Sequence, residues 1–351
     1  MRKAAFFAMD HRESLECLDR AEVCHLSSTT PEGRPVLRAL HVVRLGESLY
    51  FHAAPIGEKS ETVGRFAIVS AEEDLARVPS TFLDPERACP ATTLYRSVQV
   101  EGMLVAVHDP DEKARVLEAL MKKLQPEGGY VPIDPSSALY EKAVASIAVV
   151  KLVPELVTGK KKLAQNRTPE DRRKVYEGFF RRGHDGDFAA LEAVLEANPQ
   201  DEIPAFLRAK DGTRLLAHLP DRRLPEAARL LEAAYWLEGV SAERIEEGFR
   251  RSRVRVAAVA ESGELLGVAR ATSDGRVAWI FDVMVAQGAR GRGLGRALVE
   301  LLLAHPAVDR ALVVRLGTRD AMGLYEKLGF VDVARAPLRA YRTVEMARRR
   351  A

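Results

Sequence analysis

The sequence predicts two domains, α+β in its first half and α/β in its second. Three observations carry this. First, six or seven short apolar runs at close spacing, with one helical stretch among them, fill residues 23–152, the pattern of a small β-barrel. Second, residues 280–303, IFDVMVAQGARGRGLGRALVELLL, read as strand, glycine loop and helix: a branched apolar run, then Gly291, Gly293 and Gly295, then Leu294, Ala297, Leu298, Leu301 and Leu302 at helical spacing. Third, two capped helical stretches and a polar, turn-rich segment separate the halves. A chain of 351 residues has room for two or three domains. The expected bounds are 1–167, a connector at 168–205, and 206–351.

In the first half, residues 11–20 read as a short helix. Strands are expected over 23–29, 35–44, 48–53 and 66–70, over 94–101 and 103–107 joined across Gly102, and over 145–152. Asp109 caps the one helix among them, with Pro110 in its first turn and Val116, Leu117, Leu120, Met121 and Leu124 as its apolar face. Two cations share faces with apolar residues by two-residue alternation: Arg38 with Leu40 and Val42, and Arg96 with Val98 and Val100. An unpaired charge on such a face is costly, so each requires a partner. His52 at a strand end and Lys59 past a glycine turn add to them, and cations from several strands can converge on one phosphate.

Three strings now matter in order: LYFHA with GEK at 49–59, SVQVEG at 97–102, and GKKKLAQNR at 159–167. They resemble the FMN-binding split barrels related to pyridoxamine-phosphate oxidase, and more narrowly the subgroup with nitroimidazole-reductase-like proteins. The resemblance spans about residues 10–170. It implies a split β-barrel that binds FMN at a two-fold interface, hence a homodimer through the N-terminal barrel. It further implies that Arg38, Lys59, Arg96 and Ser97 contact phosphate or isoalloxazine and that His52 lines the site. A cation at the flavin N1–C2 edge would stabilise the anionic reduced ring, where the charge develops. The residues themselves leave other roles open: His52 as a hydrogen-bonded core histidine, Arg38 or Arg96 as partners of a carboxylate such as Glu101, and residues 160–162 as a solvated basic turn. The polar, Pro-rich insert at 82–93 reads as a loop over the flavin or across the dimer interface, with Cys89 an incidental thiol.

Thr168 caps a connector helix running to about Arg182, with Asp171 at the capping-box position. A second helix covers 187–197 and ends at Asn198-Pro199. Their ordinary face pattern favours packing against the barrel over reading DNA. Beyond them come a helix over 224–238, a second one capped by Ser241, and a β-meander over 253–260, 264–272 and 276–285. The glycine loop and its helix follow, then a strand at 311–316, a helix ending at Leu328, and last strands near 331–335 and 341–346.

Unpartnered N–H groups at a helix start hold phosphate, and glycines let it approach. The spacing here is G-x-G-x-G, which is not the dinucleotide fingerprint, and the Gly-Lys-Ser/Thr of a P-loop is missing. The form Arg290-x-x-Gly293-x-Gly295, followed by AMGLYEKLGF at 321–330, resembles the GNAT-type N-acetyltransferases over about residues 211–347. That resemblance implies a GNAT acyltransferase fold with a mixed central sheet and acetyl-CoA as co-substrate. It implies that Val283 and Val285 on the strand, with Arg290, Gly291, Arg292, Gly293, Leu294, Gly295 and Arg296, hold acetyl-CoA, and that Tyr325 is the acid that protonates the leaving thiolate. Asp282, which interrupts an apolar strand, is the expected base, with Asp320 as the other candidate. Thr318 stands where many members of that family carry Asn, which puts one contact to the pantetheine arm in doubt.

Composition bounds the rest. A net charge of +3 demands no polyanionic partner, and Arg348 to Arg350 read as a solvated tail, so no nucleic-acid partner is expected. The three cysteines have no metal or disulfide spacing, no metal is expected, and a reducing cytoplasm follows. The first residues are too little apolar for a signal peptide, and no run reaches the roughly 18 apolar residues of a membrane span. The sequence thus predicts an acetyl-CoA-dependent N-acetyltransferase of a small amine joined to an FMN-binding oxidoreductase. The alternative is a transferase whose flavin module only dimerises or regulates it.

Overall fold

Seven strands of the first half pair into one antiparallel sheet in the order β2-β1-β5-β6-β7-β4-β3. They are β1 (Cys24–Thr29), β2 (Pro35–Leu40), β3 (Val43–Leu45), β4 (Ser48–Ala53), β5 (Phe66–Val78), β6 (Thr92–Val107) and β7 (Ala148–Lys162). In this computed structural model residues 4–334 are described, and the chain divides into two units, Met1–Lys174 and Val175–Ala351. The expected strand over 35–44 is two strands. Only His41 and Val42 separate β2 from β3, yet these lie at opposite ends of the sheet order. Three peptide steps span at most about 11 Å. The two edges must therefore meet, and the sheet curls into a half-closed barrel.

The strands are longer than their apolar runs. β5 continues to Val78, and β6 passes through Gly102 without a break. A Cβ at Gly102 would stand 1.9 Å from the Val153 carbonyl oxygen, where the register with β7 shifts, so only glycine lets these backbones approach. The inward faces bury Leu26, Leu49, Phe51, Val69, Val98, Val100, Leu104 and Leu152, closed by Cys17 and Leu18 of α2 (His11–Arg20). α1 (Ala4–Phe7) precedes it, and α3 (Glu58–Glu61) is a single turn. Helix α4 (Pro110–Leu124) is capped by Asp109 and sets Val116 and Leu120 on Val43, Tyr50, Val107 and Val149. A short helix that the sequence reading lacks, α5 (Glu141–Ser146), leads into β7.

α6 (Pro169–Arg182) starts at the Thr168 cap, whose hydroxyl accepts from the Asp171 N–H. α7 (Asp187–Ala197) follows. Packing against the barrel was the expectation for this pair. Instead, α7 belongs to the second unit: Phe188 stacks on His305 at 4.1 Å, and Glu192 takes hydrogen bonds from Arg214 and the Ala217 N–H.

The second unit holds a five-stranded sheet, β12-β11-β10-β9-β8. Its strands are β8 (Arg214–Leu216), β9 (Val254–Val259), β10 (Leu265–Ser273), β11 (Val277–Val285) and β12 (Val313–Arg315). Only β11–β12 is parallel, which makes the sheet mixed. β8 lies in a stretch too polar to read as strand. The helix expected over 224–238 is cut short: α8 (Leu224–Leu231) stops, and Tyr235–Leu237 forms a separate 3-10 turn. α9 (Ala242–Arg250) is capped by Ser241. Together α8 and α9 bury Leu224, Ala227, Leu231, Ile245 and Phe249 over Ala257, Val259, Val268 and Met284. Helices α10 (Leu294–Ala304), α11 (Pro306–Asp309) and α12 (Met322–Glu326) complete the described part. Of the two last expected strands, residues 331–334 are turn, and the rest lies outside the described residues.

Candidate functional site

In the second unit, β12 pairs only with Val277, Ala278 and Trp279 of β11, which runs on to Val285. The two parallel strands thus separate beyond Trp279. Across β11, the register with β10 passes from Val268–Met284 to Arg270–Phe281. Asp282 and Val283 therefore face Ala269 alone, and the backbone of Asp282 is left-handed, φ 53°. That is a β-bulge, and it turns backbone and side chain out of the ladder. Non-glycine residues hold such a φ only when their surroundings fix it. Here Asp282 accepts from Trp236 Nε1 at 3.0 Å and from Arg270 Nε at 2.5 Å, with its side chain 6% exposed. Arg270 also donates to Ser252 Oγ, and its guanidinium covers Phe281 at 4.7 Å. The expected base thus has one partner on each carboxylate oxygen. Trp236, in the turn that interrupts the expected helix, is a site residue the sequence reading missed; the Tyr235-Trp236 pair was the available signal.

After Val285, the chain makes a 3-10 turn at Gln287–Ala289 and then the glycine loop. Gly291 and Gly293 have φ 81° and 82°, and a Cβ on either would meet nothing within 4 Å. The turn is not plugged by neighbouring side chains. Gly293 is the N-cap of α10, with no side-chain cap bond, so the first amides of this 11-residue helix face an open approach. The arginines here are only partly committed. Arg292 bonds Asp211 and Thr213 at 2.8 Å, Arg296 pairs with Glu300, and Arg290 reaches back to the Val285 carbonyl. Gly295 lies against Val285 and Leu324, which brings α12 beside the start of α10. Next to Leu324, Tyr325 is buried, stands edge-on to Phe330, and has its pKa raised by burial first, then by Tyr235 and Asp320. Its phenol keeps its proton at neutral pH. Arg319 stacks 3.5 Å above the Tyr235 ring.

In the first unit the expected cations do not converge on one point. Arg96 does lie on the inward face of β6, but it pairs with Glu73 of β5 at 3.2 Å, a carboxylate it shares with Arg20, and not with Glu101. Arg38 is exposed on β2 and donates to the Leu37 carbonyl. Ser97 sits between Glu72 and Lys160 in the ladder. His52 is exposed at the end of β4; burial, then Lys59, then His41 lower its pKa. Lys59 and His41 thus act on His52 electrostatically and favour its neutral form. Lys160 lies over the Phe7 and Tyr95 rings, Lys161 pairs with Glu13, and Lys162 bonds Thr92. The expected solvated basic turn is instead the end of β7, its three lysines committed to packing and pairing. Among the described residues no group of His, Cys, Asp and Glu has the spacing of a metal site, and no helix is long and apolar enough to cross a membrane.

Residues 10–161 match the model of the pyridoxamine 5'-phosphate oxidase family, and residues 221–330 that of the acetyltransferase (GNAT) family. The chain joins a pyridoxamine-phosphate-oxidase-like split barrel to a GNAT acetyltransferase fold. Among solved structures, a Bacteroides thetaiotaomicron protein assigned to 5-nitroimidazole antibiotic resistance is 20% identical, with 44% of this chain and 86% of that one covered, TM-score 0.35. The flavocytochrome Anf3 of Azotobacter vinelandii is 20% identical over 45% and 70%, TM-score 0.39. A Xanthomonas campestris pv. campestris protein assigned to the GNAT family is 24% identical over 37% and 92%, TM-score 0.31. No curated protein matches.

Proposed function

We propose that the second unit transfers acetyl from acetyl-CoA to the nitrogen of a small amine, and that the first unit binds FMN as a homodimer and serves an oxidoreductase reaction. One observation carries the transferase reading: β11 parts from β12 beyond Trp279, bulges against β10 at Asp282, and leads into an unplugged glycine turn that starts a helix. In this reading the amides from Arg290 to Arg296 hold the pyrophosphate, and Val283 and Val285 present backbone groups to the pantetheine arm and the thioester carbonyl. The amine loses a proton to solvent at the open edge of β11 and attacks the thioester carbon. A C–N bond forms and the C–S bond breaks. The departing thiolate takes the Tyr325 proton, which burial keeps in place. Asp282 holds Trp236 and Arg270 at the bulge.

For the barrel, Lys59 would meet an anionic group such as the FMN phosphate, with His52 beside it as a neutral hydrogen-bonding partner. Arg38 and Ser97 would contact the cofactor from neighbouring strands, and Arg96 would reach it only by sharing or leaving Glu73. When bound, FMN supplies hydride chemistry. An exposed apolar strip supports the homodimer: Phe66, Met103, Val105, Val153 and Leu156 lie on the outer faces of β5, β6 and β7. The pairing of Arg96 with Glu73 and of Lys161 with Glu13 favours a second reading, in which the barrel binds flavin without turnover and only dimerises or tunes the transferase. The test is an acetyl-CoA-coupled screen of amines run beside a flavin spectrum. A yellow protein bleached by NAD(P)H supports two activities, and tight FMN without bleaching supports the second reading. A colourless protein that ignores added FMN removes the flavin from both.

A further inference from the structure

A cleft of about 640 Å³ opens on the sheet of the second unit beside the β10–β11 turn, lined by Thr272, Ser273, Asp274, Val277, Trp279 and Arg315. Thr272, Trp279 and Arg315 are register partners across β10, β11 and β12, so they form one row on one face. The Arg315 guanidinium lies 6.0 Å from the centre of the Trp279 ring. Among the described residues its buried Nε has no hydrogen-bond partner and Arg315 makes no ion pair. The two terminal guanidinium nitrogens are not buried, so they stay open to a ligand in the cleft while the ring holds the cation in place. Asp274 is the one acid of the lining. Its Oδ1 accepts the N–H groups of Arg276 and Val277, which hold its carboxyl below the usual range, so it is committed to the turn.

The row continues toward the bulge. Trp279 stacks on Phe281 at 6.0 Å and 17°, and the Arg270 guanidinium lies 4.7 Å from the centre of the Phe281 ring. Phe281, on β11, remains 36% exposed, and Trp236, in the turn beside the bulge, 41%. Asp282 lies three residues beyond Trp279, about 10 Å along the strand.

We propose that this row is the acceptor's binding track, and that the acceptor is an amine with a planar apolar body and a carboxylate at its far end. The carboxylate meets Arg315, whose planar fork matches it in two parallel hydrogen bonds. The body lies on Trp279 and Phe281, and the nitrogen reaches the bulge. This rests on the acyl-transfer reading for the nitrogen's fate, and on Arg315 and the rings alone for binding.

The test compares 4-(2-aminoethyl)benzoate with its uncharged amide, by calorimetry on the full chain and by acetyl-CoA-coupled turnover. The acid binds at least tenfold tighter than the amide and has the lower KM. Arg315→Ala and the milder Arg315→Gln abolish that preference, while Trp279→Leu weakens both ligands alike. Equal binding of acid and amide, or a preference that survives both Arg315 variants, overturns the proposal. Acetyl-CoA affinity, titrated in the same series, reports separately: its absence removes the transferase reading and leaves the comparison of the two ligands standing.

Discussion

Asp282 shows how much a single residue's partners decide. Its place in an apolar strand marks it as special in the sequence, and the natural inference is a catalytic base. In the fold it is held by Trp236 and Arg270 at a left-handed position in the bulge. Removing one member of a buried pair leaves the other charge uncompensated. Asp282→Ala is therefore expected to destabilise the second unit by about 3 kcal/mol, read by denaturant unfolding, with turnover falling alongside. Unchanged stability with lost turnover and a shifted pH profile would return the residue to proton transfer. Tyr325→Phe has the opposite signature. The edge-on packing on Phe330 survives, the proton is lost, and turnover drops roughly 10²-fold with acetyl-CoA affinity unchanged by calorimetry. Full activity would remove its acid role.

The glycine turn belongs to the scale of elements, because its function is to end one strand and start one helix with the amides exposed. At Gly293 the left-handed φ costs a side chain about 1–2 kcal/mol, yet nothing in the fold would collide with it. Gly293→Ala should thus fold and bind acetyl-CoA more weakly, and Gly293→Glu should abolish binding, since its carboxylate would face the pyrophosphate. Calorimetry reads both, and unchanged affinity for Gly293→Glu would count against the loop. The break of the expected helix after Leu231 is the other element-level result. It places Tyr235 and Trp236 at the bulge, where a continuous helix would have carried them past it.

For the whole molecule, two histidines, His305 buried and His218 half-buried, couple stability to pH. Burial pushes His218 down to about 4, with Arg255 beside it adding to the shift. Burial likewise pushes His305 down to about 4, and its Nδ1 accepts the Ala307 N–H, a bond that protonation would break. Both stay neutral when folded and take a proton below their ordinary 6.5 when unfolded. Stability is therefore intact above pH 6.5, falls as pH drops from there toward 4, and falls no further through these groups below it. Each contributes on the order of 3 kcal/mol. Melting of the second unit between pH 7 and 4 reads this, and a flat profile would refute it. At the barrel, Met103 and Val153 are register partners on the exposed strip. Replacing both with Glu should leave the fold intact and turn a dimer into a monomer in sedimentation; an unaltered dimer would move the interface elsewhere. The sequence by itself determined most of the elements in their order, the capped helices at Asp109, Thr168 and Ser241, and the glycine turn, because periodicity, caps and left-handed glycines are local. Only the tertiary structure decided that the sheet edges meet at His41, that Arg96 answers Glu73, that Trp236 and Arg270 meet Asp282, and that Arg315 stands over Trp279 with no ion pair among the described residues. Those facts depend on which strands become neighbours, and pairing between residues far apart in the chain leaves no trace in local spacing.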